Sequence, residues 1–168
     1  MLSDQSILIR EATLDDMQRI AEIKVENHGI GDIAHPLDRI LNDLFVREYT
    51  KRWANHLEAG MRTLIVAVDG YTVGFICYSG SRKIAEINNI YIIPEYRGQQ
   101  LGKRLCIDAL AKMKEESFSE VIVWIVSGRQ QAQRFYKNMG FQLTADSRED
   151  SISDDVVLHE LQYSYTFE

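Results

Sequence analysis

NIYIIPEYRGQQLGKRLCIDALAKM, residues Asn89 to Met113, decides how the chain is read. A β-rich apolar segment passes through Pro94 and a turn carrying Arg97-Gly98-Gln99-Gln100-Leu101-Gly102, then enters a segment with helical apolar spacing. The order is strand, glycine loop, helix. The first N–H groups of a helix have no intrahelical acceptor and sit at the positive end of its dipole. A glycine loop feeding one therefore suits an anionic ligand that carries phosphate.

Spacing excludes two phosphate cradles. A P-loop needs four residues between its glycines, then Lys and a Ser or Thr whose hydroxyl reaches magnesium. Here three residues separate Gly98 from Gly102, and Arg104 follows Lys103. A dinucleotide loop needs G-x-G-x-x-G, which these glycines do not supply.

Upstream of the loop, Thr63 to Val68 reads as a strand and Asp69-Gly70 as a hairpin turn. Val73 to Tyr78 is the returning strand, Ser79 to Lys83 the next turn, and Ile84 to Ile93 the third member of an antiparallel meander. Downstream, Leu101, Leu105, Ala109 and Met113 share one helix face, and that helix should end near Ser117. Glu120 to Val126 is almost wholly apolar, as in a strand buried on both faces. A helical crossover makes it parallel to the strand before the loop. Gln130 to Met139 is helical, with Gly140 as its left-handed cap. Phe141 to Ala145 and Val156 to Phe167 close the chain as strands, with the acidic stretch from Asp146 to Asp155 as their hairpin.

At the N-terminus, Ser6 to Glu11 reads as an edge strand. Thr13 caps a helix that runs to about Asn27 and turns Met17, Ile20, Ala21 and Ile23 inward. His28 to Asp32 breaks that helix, and Pro36 marks a turn. Val46, Tyr49, Trp53 and Leu57 then form the face of a second helix before Gly60.

The 168 residues are 45% hydrophobic, which fits one domain with a sizeable core. A net charge of −6 without like-charge runs disfavours nucleic acid. Cys77 and Cys106 lie in apolar segments and read as buried small hydrophobes in a reducing, cytoplasmic setting. No leader and no membrane-length apolar run is visible, so no membrane partner is expected. His28, His35, His56 and His159 lack metal-ligand spacing, so no metal is expected.

The loop resembles the acyl-CoA pyrophosphate loop of the GNAT N-acetyltransferase superfamily, Gln/Arg-x-x-Gly-x-Gly/Ala after an apolar triplet and a Pro. Arg97, Leu101 and Gly102 match, while Gln100 stands where the family most often has Gly. A second stretch, Ala132-Gln133-Arg134-Phe135-Tyr136-Lys137-Asn138-Met139-Gly140-Phe141, resembles the family's C-terminal signature, Asn-x-x-Ala-x-x-Phe-Tyr-x-x-x-Gly-Phe. Every element after the first matches, and Arg129 occupies the Asn position. The two patterns cover the middle and C-terminal half of the chain.

The resemblance implies an α/β fold of mixed α+β type: a mostly antiparallel sheet with one splayed parallel pair and helices on both faces. It implies acetyl-CoA as cosubstrate, lying in the V between the parallel strands. Ile90, Tyr91 and Ile92 would pair with the pantetheine arm, and Gly98, Gln99, Gln100, Leu101, Gly102 and Lys103 would cradle the pyrophosphate. Arg129 would reach phosphate or pantetheine oxygens. The reaction implied is direct attack of an amine on the thioester. A backbone N–H near Ile92 would hold the oxyanion.

Tyr136 matches the family's proton donor to the leaving thiolate, although it also sits on the apolar face of its helix. Glu86, eleven residues before Arg97, matches the general base of the histone-acetylating branch. A solvent-facing strand residue is the alternative for Glu86. The branch that acetylates ribosomal proteins uses a glutamate on the next strand, and Trp124 stands there. Tyr49 and Trp53 read as helix-face core rather than an aromatic cage. The resemblance implies a small-molecule or peptide amine as acceptor. The alternatives are a non-catalytic acyl-CoA-binding sensor of the same fold and an amine-capture protein without CoA. The closing strand Val156 to Phe167 is long enough to pair across a homodimer.

Overall fold

The computed structural model describes residues 5–27, 36–153 and 155–168. In chain order the elements are β1 (Ile7–Glu11), α1 (Met17–Asn27), α2 (Pro36–Glu58), β2 (Arg62–Val68), β3 (Tyr71–Ser81), β4 (Ile84–Ile92), α3 (Leu101–Glu115), β5 (Glu120–Val126), α4 (Gln130–Asn138), β6 (Gln142–Ser153) and β7 (Val156–Thr166). The strands form a seven-stranded sheet in the order β1-β2-β3-β4-β5-β7-β6, with β4 and β5 parallel. The mixed α/β architecture is the one expected. The chain divides into two compact units, Met1–Tyr78 with Asn89–Ala109, and Ser79–Asn88 with Leu110–Glu168.

In the first unit β1 is the edge strand, pairing antiparallel with β2 from Ile7↔Val68 to Glu11↔Leu64. The turn into α1 is fixed by Asp16, which is 9% exposed. Its carboxylate accepts the Thr13 N–H at 2.8 Å and two Arg10 guanidinium bonds at 2.7 and 2.9 Å. Those bonds to Arg10 hold the carboxyl below its ordinary range, with the Thr13 N–H adding to the effect against burial. Met17, Ile20, Ala21 and Ile23 are buried, as helical spacing requires.

The turn assigned to Pro36 is a correction, because Pro36 is the first residue of α2. The N–H that proline lacks is one a helix start leaves without an intrahelical acceptor anyway. The break from His28 to Asp32, with His28 and His35, lies outside the described residues. Asp69 and Gly70 both take positive φ, 50° and 83°, as a two-residue hairpin demands. Cys77 and Cys106 are free and buried, and burial pushes their thiols up to about 11 and about 12. They are small hydrophobes, as expected.

In the second unit β4 and β5 pair from Ile84↔Glu120 to Ile87↔Val123, and β7 pairs with both β5 and β6. Three expectations change here. The turn placed at Ser79 to Lys83 shrinks to Arg82-Lys83, because β3 continues to Ser81 and Arg82 takes φ 58°. A Cβ on Gly80 would run into the Phe118 ring, so only glycine lets that strand pass. β5 is not equally buried on both faces: Val121, Val123 and Ile125 are buried, and the residues between them are half-buried.

The acidic stretch is strand rather than hairpin, since β6 reaches Ser153. Cross-strand side-chain pairs join it to β7, with the Arg148 guanidinium 3.3 Å from the Glu160 carboxylate and His159 Nδ1 3.4 Å from Glu149. Between Glu160 and Ser164, β7 is paired on both sides, so the sheet edge belongs to β6 and not to the strand expected to extend a dimer.

Two left-handed caps terminate the helices of this unit. At α4, Gly140 takes φ 102° while its N–H bonds to Lys137 and the Phe141 N–H to Tyr136. At α3, Ser117 plays the same part at φ 70°. Among the described residues, no helix is long and apolar enough to cross a membrane.

Replacing Asp16 with Ala should destabilise the protein by about 1–3 kcal/mol at neutral pH, since charge-assisted bonds are lost. Its folded pKa lies below the unfolded one, so the contribution is present above the ordinary aspartate range and is lost as pH falls through the folded value. Urea unfolding of the two proteins should therefore converge on acidification. A constant gap would place the effect in packing.

Candidate active site

The end of β4 is clamped by glycine. A Cβ on Gly74 would stand 2.5 Å from the Tyr91 carbonyl oxygen and from Ile92 Cδ1, so β3 and β4 approach here as only glycine allows. The Ile93 N–H bonds to the Val73 carbonyl at 2.9 Å, and Pro94 to Tyr96 form one 3₁₀ turn. Arg97 then folds back, its Nε donating to the Ile92 carbonyl at 2.9 Å. That bond ties the loop to the triplet Ile90-Tyr91-Ile92, whose residues are all half-buried.

Gly98 takes φ 76° and Gln100 takes φ 68°. Gln100 therefore adopts the left-handed conformation glycine favours, and the substitution leaves a glycine-type loop in place at a steric cost. Gln99 Nε2 reaches the Glu95 carbonyl at 3.4 Å. The Gln100 carbonyl accepts the Arg104 N–H at 3.0 Å, the first bond of α3. The N–H groups of Leu101, Gly102 and Lys103 precede that bond. Leu101, 1% exposed, anchors the helix start in the core, while Lys103 is exposed.

A cluster that sequence reasoning missed lies beside the triplet. Lys24 on α1 donates from Nζ to Asn89 Oδ1 at 3.3 Å. The same nitrogen lies 5.7, 5.4 and 5.8 Å from the ring centres of Tyr49, Trp53 and Tyr91. Trp53 is core, as expected, at 3% exposed, yet it and Tyr49 also face a cation. Burial pushes the Lys24 ammonium below the ordinary lysine value. Cys77 opposes that shift and Arg52 adds to it. No local spacing could reveal these contacts, which join positions 24, 49, 53, 89 and 91.

Glu86 belongs to the second unit, half-buried on β4 opposite Ile122 of β5. Trp124 carries the Arg148 guanidinium over its ring at 4.4 Å. Arg129 stands at the start of α4, exposed, and its side chain makes no capping bond because a guanidinium has no acceptor. Gln133, an unspecified position of the signature, holds that first turn instead. Its Nε2 donates to the Ser127 carbonyl at 2.8 Å, and its Oε1 accepts the Tyr163 hydroxyl at 2.9 Å.

Tyr136 is 4% exposed, with Phe135 and Phe141 edge-on at 5.0 and 5.2 Å. The expected residues thus divide by unit. Ile90 to Ile92 and Arg97 to Lys103 fall in the first, and Glu86, Arg129 and Tyr136 in the second.

The profile of the acetyltransferase (GNAT) family matches residues 20–141, and the chain belongs to that family. It is an acetyl-CoA-dependent N-acyltransferase. It is 27% identical over 136 residues to an uncharacterized N-acetyltransferase of Archaeoglobus fulgidus, covering 76% of this chain and 88% of that one. A Bacillus subtilis protein provisionally named [ribosomal protein bS18]-alanine N-acetyltransferase is 28% identical over 134 residues, covering 80% of each chain. The fold is shared with the PaiA N-acetyltransferase of Thermoplasma acidophilum solved in complex with coenzyme A. That likeness has a TM-score of 0.68 at 20% identity, over 96% of this chain and 99% of that one.

Replacing Gly74 with Ala should cost about 1–3 kcal/mol through overpacking, and should shrink the rise in melting temperature that acetyl-CoA produces. An unaltered rise would show that the triplet does not bear on the cofactor. Gln100→Gly should leave stability unchanged or raise it by up to about 1 kcal/mol in urea melts, because relief of the left-handed strain outweighs the added chain entropy. A loss of that size would mean the glutamine side chain holds the loop.

Proposed function

We propose that this protein moves the acetyl group of acetyl-CoA to a primary amine of a peptide or small molecule, by direct attack in a ternary complex. One N-acetyltransferase domain spanning residues 1–168 does this. The observation that carries the reading is the loop, where Gly98 and Gln100 both take positive φ ahead of the helix N–H groups of Leu101, Gly102 and Lys103. Backbone N–H groups at a helix start suit the pyrophosphate, and Arg97 and Lys103 add positive charge. Ile90, Tyr91 and Ile92 serve the pantetheine arm, and Arg129 supplies a further cation. No site is assigned to a metal.

Chemistry divides into three tasks. The amine must be neutral to attack, and Glu86 is assigned to take its proton. A backbone N–H near Ile92 receives the oxyanion. Tyr136 returns a proton to the thiolate. The name of the Bacillus subtilis relative favours a peptide amine, and the net charge of −6 accommodates a cationic one. Trp124, where the ribosomal branch has its glutamate, sets the catalytic base of this chain apart from that branch.

The burial of Tyr136 favours a second reading, a protein of this fold that binds acyl-CoA without turnover. Melting temperature with and without acetyl-CoA, with ATP and NAD as controls, comes first. A ligand at 100 times its Kd adds about 2.7 kcal/mol. Turnover on an amine panel then separates the two readings. Tyr136→Phe keeps the aromatic packing and should lower kcat by roughly tenfold to a hundredfold, leaving the acetyl-CoA shift intact. Equal kcat would remove Tyr136 from the mechanism.

A further inference from the structure

Lys24 has no part in the chemistry above, yet it is placed for the same chemistry. It presents a primary amine, the functional group the enzyme acetylates. Its Nζ lies 5.8 Å from the ring centre of Tyr91, a residue of the triplet assigned to the pantetheine arm, and bonds to Asn89 two positions earlier. Tyr49 and Trp53 of α2 complete the surround, with Phe75 packed against both Trp53 and Tyr91 at 5.4 Å.

A structural lysine in such a place would be expected to pair with a carboxylate. Among the described residues none is paired with Lys24. Among the described residues, the charged and titratable groups acting on it are the Cys77 thiol and Arg52, whose guanidinium lies over the Tyr49 ring at 5.3 Å. Neither stabilises an ammonium as a carboxylate would. Burial favours the neutral amine, the form that attacks a carbonyl. The three rings favour the cation, but at 5.4 to 5.8 Å they lie near the outer limit of that interaction, about 6 Å.

We propose that Lys24 is itself an acetyl acceptor, a self-modification site facing the thioester end of acetyl-CoA from α1. This rests on the acetyl-CoA reading of the triplet. In the step, the Lys24 ammonium gives one proton to solvent. The neutral Nζ attacks the thioester carbonyl, the C–N bond forms, and the C–S bond breaks with its electron pair leaving on sulfur. The second nitrogen proton passes to that thiolate, giving free CoA and an N-acetyl lysine. The product has no positive charge, so the cation facing Tyr49, Trp53 and Tyr91 disappears. Acetylation at Lys24 thus changes the charge and polarity of the surface beside β4.

The test uses the purified full-length chain and deuterated acetyl-CoA, with each lysine followed by peptide mass spectrometry. Lys24 should take heavy acetyl about tenfold or more faster than the exposed Lys51, Lys83, Lys114 and Lys137, because an amine held beside the cofactor reacts at high effective concentration. The rate per molecule should not depend on protein concentration. Lys24→Arg should abolish that label and leave the exposed lysines unchanged. If acetyl-CoA raises the melting temperature but Lys24 labels no faster than the exposed lysines, or labels in proportion to protein concentration, the inference is overturned alone. If acetyl-CoA neither raises the melting temperature nor transfers acetyl to any amine, the cofactor reading falls, and this inference with it.

Discussion

The parallel pairing of Ile84–Ile87 with Glu120–Val123 is the constraint from which the rest of the molecule follows. Antiparallel neighbours can be joined by two residues, as Asp69-Gly70 joins β2 and β3, but parallel ones cannot. The chain leaving β4 must travel back before β5 can begin, and α3 makes that journey. The reversal from strand to helix is confined to Ile93 through Gln100, which accounts for its density of special features. A proline-led 3₁₀ turn, a backbone-bound arginine and two left-handed residues fall within eight positions. A crossover helix also begins where its strand ends, so its first N–H groups face the region beyond the strand's carboxyl end, where α/β sheets bind anionic ligands.

Features governed by local chemistry were legible in the sequence. The helix face of Met17, Ile20, Ala21 and Ile23, the Asp69-Gly70 turn and the Gly140 cap each depend on residues within a few positions of one another. The two motifs that point to acetyl-CoA are local in the same sense. Features governed by distant partners were not legible. β6 is polar because it lies at a sheet edge and is held by charges on β7, so no apolar alternation marks it. Its acidic run looks like a loop until Arg148 meets Glu160. Ser117 caps α3 without any glycine to announce the left-handed turn. Gln133 ties α4 to β7 from a position the family signature leaves open.

Two buried or half-buried ion sites in the first unit show how structure and function part company. Arg10 and Asp16 face each other across two good bonds, with the Thr13 backbone N–H completing the carboxylate's coordination. Each charge is satisfied, and the arrangement fixes the entry of α1. Lys24 is the opposite case. Among the described residues it has one amide oxygen at 3.3 Å and three rings at the limit of useful range, and burial works against its charge. A protein that needed only stability there would place methionine or leucine on that helix face.

The same contrast appears in the backbone. Left-handed residues at Asp69 and Gly70 serve a hairpin that demands them, whereas Gln100 holds the conformation without glycine's freedom. Natural sequences break local rules mainly where function compensates, so strain and poorly satisfied charge are most informative when they converge. Here they flank one element. Gln100 follows the end of β4, and Lys24 lies beside its last residues through Asn89 and Tyr91. The glycine clamp at Gly74 holds that same end of the strand from β3. Three independent departures from an untroubled fold therefore meet around Asn89 to Gln100, the stretch to which the proposed reading assigns the cofactor.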